Sequence, residues 1–273
     1  MPKVTNGFVN NGRAKIYFES AGEGAPLVFI HAGVADHRQW NNEFKYFSDG
    51  YKVIRYDVRG YGKSEPVEEE YKHLDDLSAL LEHLEVNEPV TLMGCSMGGG
   101  IAMDFALTQP ARVSKLIMVA SAPSGLKLDV EGPDDKFTKA EKAFEDGNLD
   151  LVAEIETQIW FDGMNRKPEE VNQEMRKLLF EMNRIALGHE AKELGKRLPN
   201  TQIESFEHLQ EIKIPVLVLV GDNDIPYMQA ASDYMIERIP NSRKVVIEDA
   251  AHLPNMDQPE EFRRNIQKFL DEI

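Results

Sequence analysis

Short runs of apolar, often β-branched residues recur along the chain and predict buried strands. The runs cover residues 27–30, 52–56, 90–93, 115–119, 216–220 and 244–247. They show little alternation of polar and apolar positions, which is typical of strands covered on both faces. Between several of them, apolar residues fall at helical spacing, as at Leu74, Leu77, Leu81 and Leu84. Alternating strands and helices predict an α/β fold with a mostly parallel, doubly wound sheet.

The start of the chain follows a different pattern. Two extended segments, residues 8–9 and 15–19, flank the dipeptide Asn11-Gly12. Asn-Gly favours the type I′ turn, because both central residues of that turn need positive φ. We therefore expect a hairpin that turns at Asn11-Gly12 and gives the sheet an antiparallel start.

From about residue 123 to residue 212 the strand pattern disappears and helical spacing takes over. The apolar positions are Leu151, Ile155 and Ile159, then Val171, Met175, Leu178 and Met182, then Leu187, Ala191, Leu194 and Leu198. Glycines at positions 147, 163 and 188 are expected to end these helices. We predict a core domain from residues 1–124 and 206–273, with a helical cap at residues 125–205. The cap lies between two strands of one sheet, so it should fold over the sheet edge as a lid.

Composition excludes several classes of protein. The chain has 31 Lys and Arg against 47 Asp and Glu, a net charge of −16, which argues against nucleic acid as a partner. The longest uninterrupted apolar stretch, residues 216–220, is far too short for a membrane span. The first ten residues lack the apolar region of a signal peptide. A single cysteine, Cys95, excludes an intrachain disulfide, and we expect a cytoplasmic protein.

The strongest motif is a G-x-S-x-G sequence, Gly94-Cys95-Ser96-Met97-Gly98. It lies between a predicted strand and a predicted helix. A sharp strand-to-helix turn needs small residues around the serine, so that the hydroxyl projects from a strained backbone. We therefore predict that Ser96 is a nucleophile. The neighbouring Cys95 is expected to be a buried small residue.

A serine nucleophile needs a general base, and the base needs a group that fixes its tautomer. Among the histidines, His252 lies in a loop after the last predicted strand, whereas five others are expected at the surface: His37, His73, His83, His189 and His208. The strand at residues 216–220 runs directly into Gly221-Asp222-Asn223-Asp224. The chain order is thus serine, aspartate, histidine, with Asp222 and Asp224 both available.

With these motifs the sequence resembles the α/β-hydrolase superfamily over essentially the whole chain. The resemblance rests on His31-Ala32-Gly33, Asp57-Val58-Arg59-Gly60-Tyr61-Gly62-Lys63-Ser64, the serine motif, Gly221-Asp222-Asn223-Asp224 and His252. It implies an eight-stranded, mostly parallel sheet with helices on both faces. In that family the acid is usually the last residue of a G-x-x-D pattern. This favours Asp224 as the triad acid and a capping role for Asp222.

The same geometry predicts an oxyanion hole. One donor is the backbone N–H of Met97, the residue after the nucleophile, at a helix N-terminus. The family pattern places the second donor on Gly33, with Val34 as the alternative because Ala32 replaces the commoner glycine. Residues 57–64 are expected to form a structural loop without a catalytic role.

Residue types narrow the reaction. A serine in the turn argues against haloalkane dehalogenases and epoxide hydrolases, which use an aspartate there. The sequence resembles small capped carboxylesterases and 3-oxoadipate enol-lactonases, through Asp36-His37-Arg38-Gln39-Trp40 and residues 94–100. We expect hydrolysis of a small carboxylic ester or lactone. Three alternatives stay open: a carbon–carbon bond hydrolase of ring-fission dienoates, a cofactor-free perhydrolase or haloperoxidase, and a noncatalytic small-molecule binding module.

No cofactor and no metal are expected. The sequence has no clustered metal ligands and no dinucleotide fingerprint after the first strand. The expected partner is a small-molecule substrate alone. Bulky cap residues predicted to line the substrate pocket are Trp160, Phe161 and Met182.

Overall fold

The structure, a computed structural model, describes residues 2–272 and consists of a mixed sheet between two layers of helices. The strands are β1 (Thr5–Asn11), β2 (Ala14–Ala21), β3 (Pro26–Ile30), β4 (Lys52–Tyr56), β5 (Glu70–Tyr71), β6 (Val90–Cys95), β7 (Val113–Val119), β8 (Lys196–Arg197), β9 (Val216–Gly221) and β10 (Ser242–Ile247). Eight of them form one sheet in the order β1-β2-β4-β3-β6-β7-β9-β10. All six predicted strands are present, but β10 lies at the edge of the sheet with Val246 exposed, so its predicted burial on both faces is wrong. The antiparallel start is confirmed, since only the β1–β2 and β2–β4 pairs of this sheet are antiparallel within the described residues.

Helices cover both faces of this sheet. They are α1 (Asn41–Phe47), α2 (His73–His83), α3 (Met97–Thr108), α4 (Asp134–Glu145), α5 (Leu149–Thr157), α6 (Gln173–Glu190), α7 (Pro226–Arg238), α8 (Pro254–Asp257) and α9 (Pro259–Asp271). In β3, Val28 and Ile30 pack in the core under α2, α3 and α7, whereas Leu27 and Phe29 pack under α1 and α9. Burial on both faces explains why these strands read as unbroken apolar runs.

The hairpin at the start is confirmed, but its turn is shifted by one residue from the prediction. Asn11 pairs with Ala14 as the last residue of β1, so Gly12 and Arg13 form the two-residue loop. Gly12 has a φ of 60°, and Arg13 does not have positive φ. Glycine at the first central position is typical of a type II′ turn, which needs positive φ at that position only.

The segment between β7 and β9 is mainly helical, and it differs from the prediction at its end. Helix α6 continues through Gly188 to Glu190, so this glycine does not end it. The expected helical positions Ala191, Leu194 and Leu198 lie instead in turns and extended chain, with Leu194 exposed. There β8 pairs in parallel with β5, a contact too short to leave a sequence pattern.

Two histidines expected at the surface are buried, and this prediction was wrong. His37 packs beneath the start of the sheet, where its Nδ1 lies 2.7 Å from Asp57 Oδ1. His73 begins α2 and is 3% exposed. Both lie beside loops that follow strands, where polar side chains are buried against loop backbone.

The loop at residues 57–64 has the structural contacts that the sequence indicated. Asp57 accepts hydrogen bonds from the backbone amides of His37 and Lys63, at 2.7 and 2.8 Å. Arg59 forms an ion pair with Asp76 at 2.6 Å. The loop thereby joins the ends of β3 and β4 to the start of α2.

Among residues 2–272, every helix is too short or too polar to span a bilayer.

Candidate active site

Ser96 lies at a sharp turn between β6 and α3. Its φ of 51° and ψ of −115° are unusual for a residue other than glycine. The turn is held on both sides, since the Ser96 amide donates to Val119 O at 2.9 Å and its carbonyl accepts from Gly100 N at 3.1 Å. The strained, fixed backbone is the geometry expected of a nucleophile turn.

Two glycines permit this turn because neighbouring backbone passes too close for a side chain. A Cβ atom at Gly94 would collide with the carbonyl oxygen of Gly98. A Cβ atom at Gly98 would collide with the carbonyl oxygen of Ile30. The close approach presses the start of α3 against the end of β3.

The structure brings Asp224 and His252 together at the ends of β9 and β10. The Nδ1 atom of His252 lies 3.1 Å from Asp224 Oδ1 and 3.0 Å from Oδ2. Both side chains are buried, at 1% exposure for His252 and 3% for Asp224. A carboxylate at Nδ1 holds the proton on that nitrogen and leaves Nε2 as the acceptor, the tautomer that a general base requires.

Asp222, the other carboxylate of this loop, is exposed and has different contacts. Its Oδ1 accepts hydrogen bonds from the backbone N–H of Ala250 at 3.2 Å and from the side-chain Nδ2 of Asn223 at 2.9 Å. These contacts order the loop but do not reach His252. The geometry therefore favours Asp224 as the partner of the histidine.

The serine turn and the histidine loop touch through Cys95. Its Sγ lies 3.6 Å from the carbonyl oxygen of His252. Complete burial raises the pKa of the Cys95 thiol to about 12, so the thiol stays protonated at neutral pH.

No hydrogen bond joins the Ser96 hydroxyl to His252 within residues 2–272. Such contacts are often long in unliganded enzymes.

The backbone around Gly33 faces the start of α3. A Cβ atom at Gly33 would lie 3.7 Å from the Cβ of Met97. Across residues 2–272, the amides of Gly33, Val34 and Met97 donate to no protein acceptor, whereas Ala35 N bonds to Ala32 O. His31 anchors this loop, because its Nε2 accepts from Val58 N at 2.9 Å and its Nδ1 lies 2.8 Å from Ala32 O. Free amides are therefore present at every predicted oxyanion position.

A cavity of about 1030 Å³ opens beside Ser96 and Met97. Its opposite wall is the segment of residues 197–204, and Lys72 and His73 complete the edge. Burial lowers the pKa of His73 to about 3, so this imidazole is neutral at ordinary pH. A second cavity, of about 440 Å³, is lined by Gly33, Val34 and Tyr61 and shares Arg197 with the first.

The three predicted pocket residues have different surroundings in the structure. Trp160 stacks against His252, with ring centroids 4.4 Å apart. Phe161 and Met182 are completely buried in the core and line neither cavity. The wall of the larger cavity is a polar, irregular segment with little periodicity. Lys72 and His73 follow β5, which is too short to leave a sequence pattern, so no signal in the sequence indicated them.

Asp36, His37 and Asp57 bring three possible metal-ligand atoms within 4.8 Å of one another. Their charges already have protein partners. Arg38 pairs with Asp36 at 2.7 Å, and Asp57 accepts two backbone amides besides the His37 ring. The arrangement is therefore well explained as a structural network beneath the oxyanion loop.

Known proteins resemble this chain over nearly its full length. A pimeloyl-(acyl-carrier protein) methyl ester esterase of Aliivibrio salmonicida is 31% identical over 265 residues, 93% of this chain and 95% of the relative. The 3-oxoadipate enol-lactonase 1 of Acinetobacter baylyi is 29% identical, with 92% and 91% covered. The crystal structure of a bromoperoxidase from Bacillus anthracis superposes with a TM-score of 0.79 at 26% identity, covering 99% of this chain and 100% of that one.

The match to a known family is equally extensive. Residues 25–259 fit the sequence profile of the alpha/beta hydrolase fold, from the start of β3 to the start of α9. Ser96, Asp224 and His252 all fall inside this range. This protein belongs to the alpha/beta hydrolase fold family.

Proposed function

We propose that this hydrolase cleaves a small carboxylic ester or lactone through an acyl-enzyme on Ser96. The observation that carries the proposal is a strained serine turn open to a cavity, next to a buried histidine whose Nδ1 faces a carboxylate. The named esterase and lactonase relatives support the same reaction class.

In the first half of the reaction, the Ser96 oxygen bonds to the substrate carbonyl carbon while His252 Nε2 accepts the serine proton. The amides of Met97 and Gly33 donate to the negative oxygen that forms. The carbon–oxygen bond to the alcohol then breaks, and His252 returns its proton to the leaving oxygen. Asp224 stabilises the imidazolium without taking a proton.

In the second half, water adds to the acyl carbon and gives its proton to His252. The bond between the acyl carbon and Ser96 oxygen then breaks, the serine recovers its proton, and the acid leaves. With a lactone, the alcohol and the acid remain one molecule. The scheme needs no metal or cofactor to balance.

We further propose that residues 125–205 act as a lid over this site. The segment of residues 197–204 faces Ser96 across the cavity, and the backbone carbonyl of Trp160 accepts from His252 N at 3.1 Å. A cover of this kind limits substrate size and excludes water from the acyl-enzyme.

A panel of esters, lactones and ring-fission dienoates tests the proposal. We expect turnover of small p-nitrophenyl esters or lactones, and a loss of at least about a thousandfold in kcat for Ser96→Ala. Cys95→Ala, one residue earlier, is the control and should keep its activity. Turnover of dienoates alone would favour the carbon–carbon hydrolase, and no turnover would favour the binding module.

Perhydrolysis is the second candidate, because the chain resembles a bromoperoxidase over its full length. The same acyl-enzyme would react with hydrogen peroxide in place of water to give a peracid. In an assay with acetate, hydrogen peroxide and bromide, the peracid would oxidise bromide to hypobromous acid, and bromination of a dye that depends on Ser96 would support this reaction. A rate of bromination below the rate of ester hydrolysis would favour the ester or lactone substrate.

A further inference from the structure

A chain of buried hydrogen bonds lies close to the candidate active site, and none of its residues lines the cavity beside Ser96. It contains Glu43 of α1, Asn255 of α8 and Gln39 from the helical turn before α1. All three side chains are at most 2% exposed. A buried polar group destabilises the fold unless it is hydrogen-bonded, so the contacts among these three residues stabilise the fold.

The side-chain amides of Asn255 and Gln39 each act as donor and as acceptor. Asn255 Nδ2 donates to Glu43 Oε2 at 3.1 Å and to the backbone carbonyl oxygen of Gln39 at 2.8 Å. Gln39 Nε2 donates to Asn255 Oδ1 at 3.3 Å. Gln39 Oε1 in turn accepts from the Ala32 backbone amide at 2.8 Å. A continuous path therefore leads from the Glu43 carboxyl to the Ala32 backbone.

The path connects two segments that must be aligned for the proposed catalysis, the oxyanion loop and the segment that follows His252. Ala32 directly precedes Gly33, the predicted oxyanion donor. Asn255 follows His252 by three residues, and the turn between them is closed by a bond from Met256 N to Leu253 O at 2.9 Å. The network thus links the oxyanion loop to the histidine loop.

Glu43 is the titratable member, and few charges compensate it. Arg263 of α9 lies 3.8 Å from Oε1, and no hydrogen bond reaches that oxygen within the described residues. Arg55 of β4 also attracts the carboxylate, but its guanidinium is bonded to Glu19 and Asn41. Complete burial raises the pKa of Glu43 to about 7, within the range where a serine hydrolase works.

We propose that Glu43 is a positioning residue, which acts through Asn255 and Gln39 to hold the Gly33 amide in register with the His252 ring. The ionised carboxylate holds Asn255 more firmly than the neutral acid, because charge-assisted hydrogen bonds are the stronger kind. The alignment therefore tightens as Glu43 loses its proton. This inference rests on the proposed function.

The test compares variants along the path with a small ester and with a boronic acid that mimics the tetrahedral intermediate. Gln39→Ala and Asn255→Ala should lower kcat and boronic acid affinity about tenfold, with KM within about twofold. Glu43→Gln, which keeps an acceptor without charge, should lose about threefold in kcat above pH 8 and almost nothing near pH 5.5. Glu260→Gln, an exposed carboxylate on α9, is the matched control and should match the wild type at both pH values.

The pH profile separates positioning from a purely structural role. The wild type should show a partial ionisation near pH 7, and Glu43→Gln should lack it. Unchanged kcat and boronic acid affinity in both alanine variants would overturn the proposal, even if their melting temperatures fall. Full turnover by Ser96→Ala would instead overturn the proposed function, so the two failures are distinguishable.

Discussion

The two sides of Ser96 differ in burial and in how firmly their residues are held. On one side lie Asp224, His252 and the Glu43 network, which are buried and joined by hydrogen bonds between different loops. On the other side lies the wall of residues 197–204, which is largely exposed and has little regular structure.

This difference indicates a division of roles. Reaction chemistry needs fixed distances and low dielectric, which the buried side provides. Substrate choice needs only a shaped surface, which the exposed wall provides. Substitutions on the buried side should therefore change kcat, and substitutions on the wall should change which ester is preferred.

The largest effect that tests this comparison is expected at the two carboxylates of one loop. Asp224→Asn should lower kcat about a thousandfold or more, because the amide presents the wrong partner to His252 Nδ1. Asp222→Asn should affect mainly stability, since its contacts are to Ala250 and Asn223. Steady-state kinetics with one ester checks both, and a reversed pair of results would make Asp222 the acid.

A second effect concerns the stability of the buried side. The pKa of Glu43 is raised in the folded protein, so the folded state binds the proton more tightly than the unfolded state. Its contribution to stability is full below the unfolded pKa and is lost as pH rises toward 7. Between about pH 5 and pH 8.5, the free energy of unfolding of the wild type should therefore fall by roughly 2 kcal/mol more than that of Glu43→Gln.

Denaturant unfolding at the two pH values measures this difference directly. Glu260→Gln serves again as the control, because its carboxylate is exposed and should follow the wild-type pH dependence. Parallel pH dependences for Glu43→Gln and the wild type would mean that Glu43 is charged at neutral pH.

The smallest effect is expected on the exposed side. Leu198→Ala and Ile203→Ala shorten side chains in the cavity wall and so enlarge the cavity. The ratio of kcat/KM for acetate esters to that for longer acyl esters should shift by about tenfold. Met182→Ala removes a completely buried side chain and should lower stability by about 2 to 5 kcal/mol without that shift. Rates on a chain-length series decide between them. A shift produced only by Met182→Ala would contradict the division of roles.

How far the sequence predicted the structure follows the same division. The strands at residues 52–56 and 216–220 and the serine turn were predictable, because continuous apolar runs and small residues at a turn have direct physical causes. The Glu43 network was not predictable, because Glu43, Gln39 and Asn255 belong to polar residue types that usually lie at the surface. They come together only when segments distant in the sequence fold against each other. Whether Phe161 and Met182 line a pocket or only pack in the core could not be predicted, because apolar bulk does not distinguish the two.

The central claim is that substrate acyl groups bond to Ser96, and trapping the intermediate tests it most directly. The protein is mixed with a p-nitrophenyl ester, quenched in acid within the burst, digested, and analysed by mass spectrometry. The account predicts one acyl group on Ser96 in the wild type and in Cys95→Ala, and none in Ser96→Ala. An acyl group on Cys95 in the wild type, or undiminished labelling of Ser96→Ala, would contradict it.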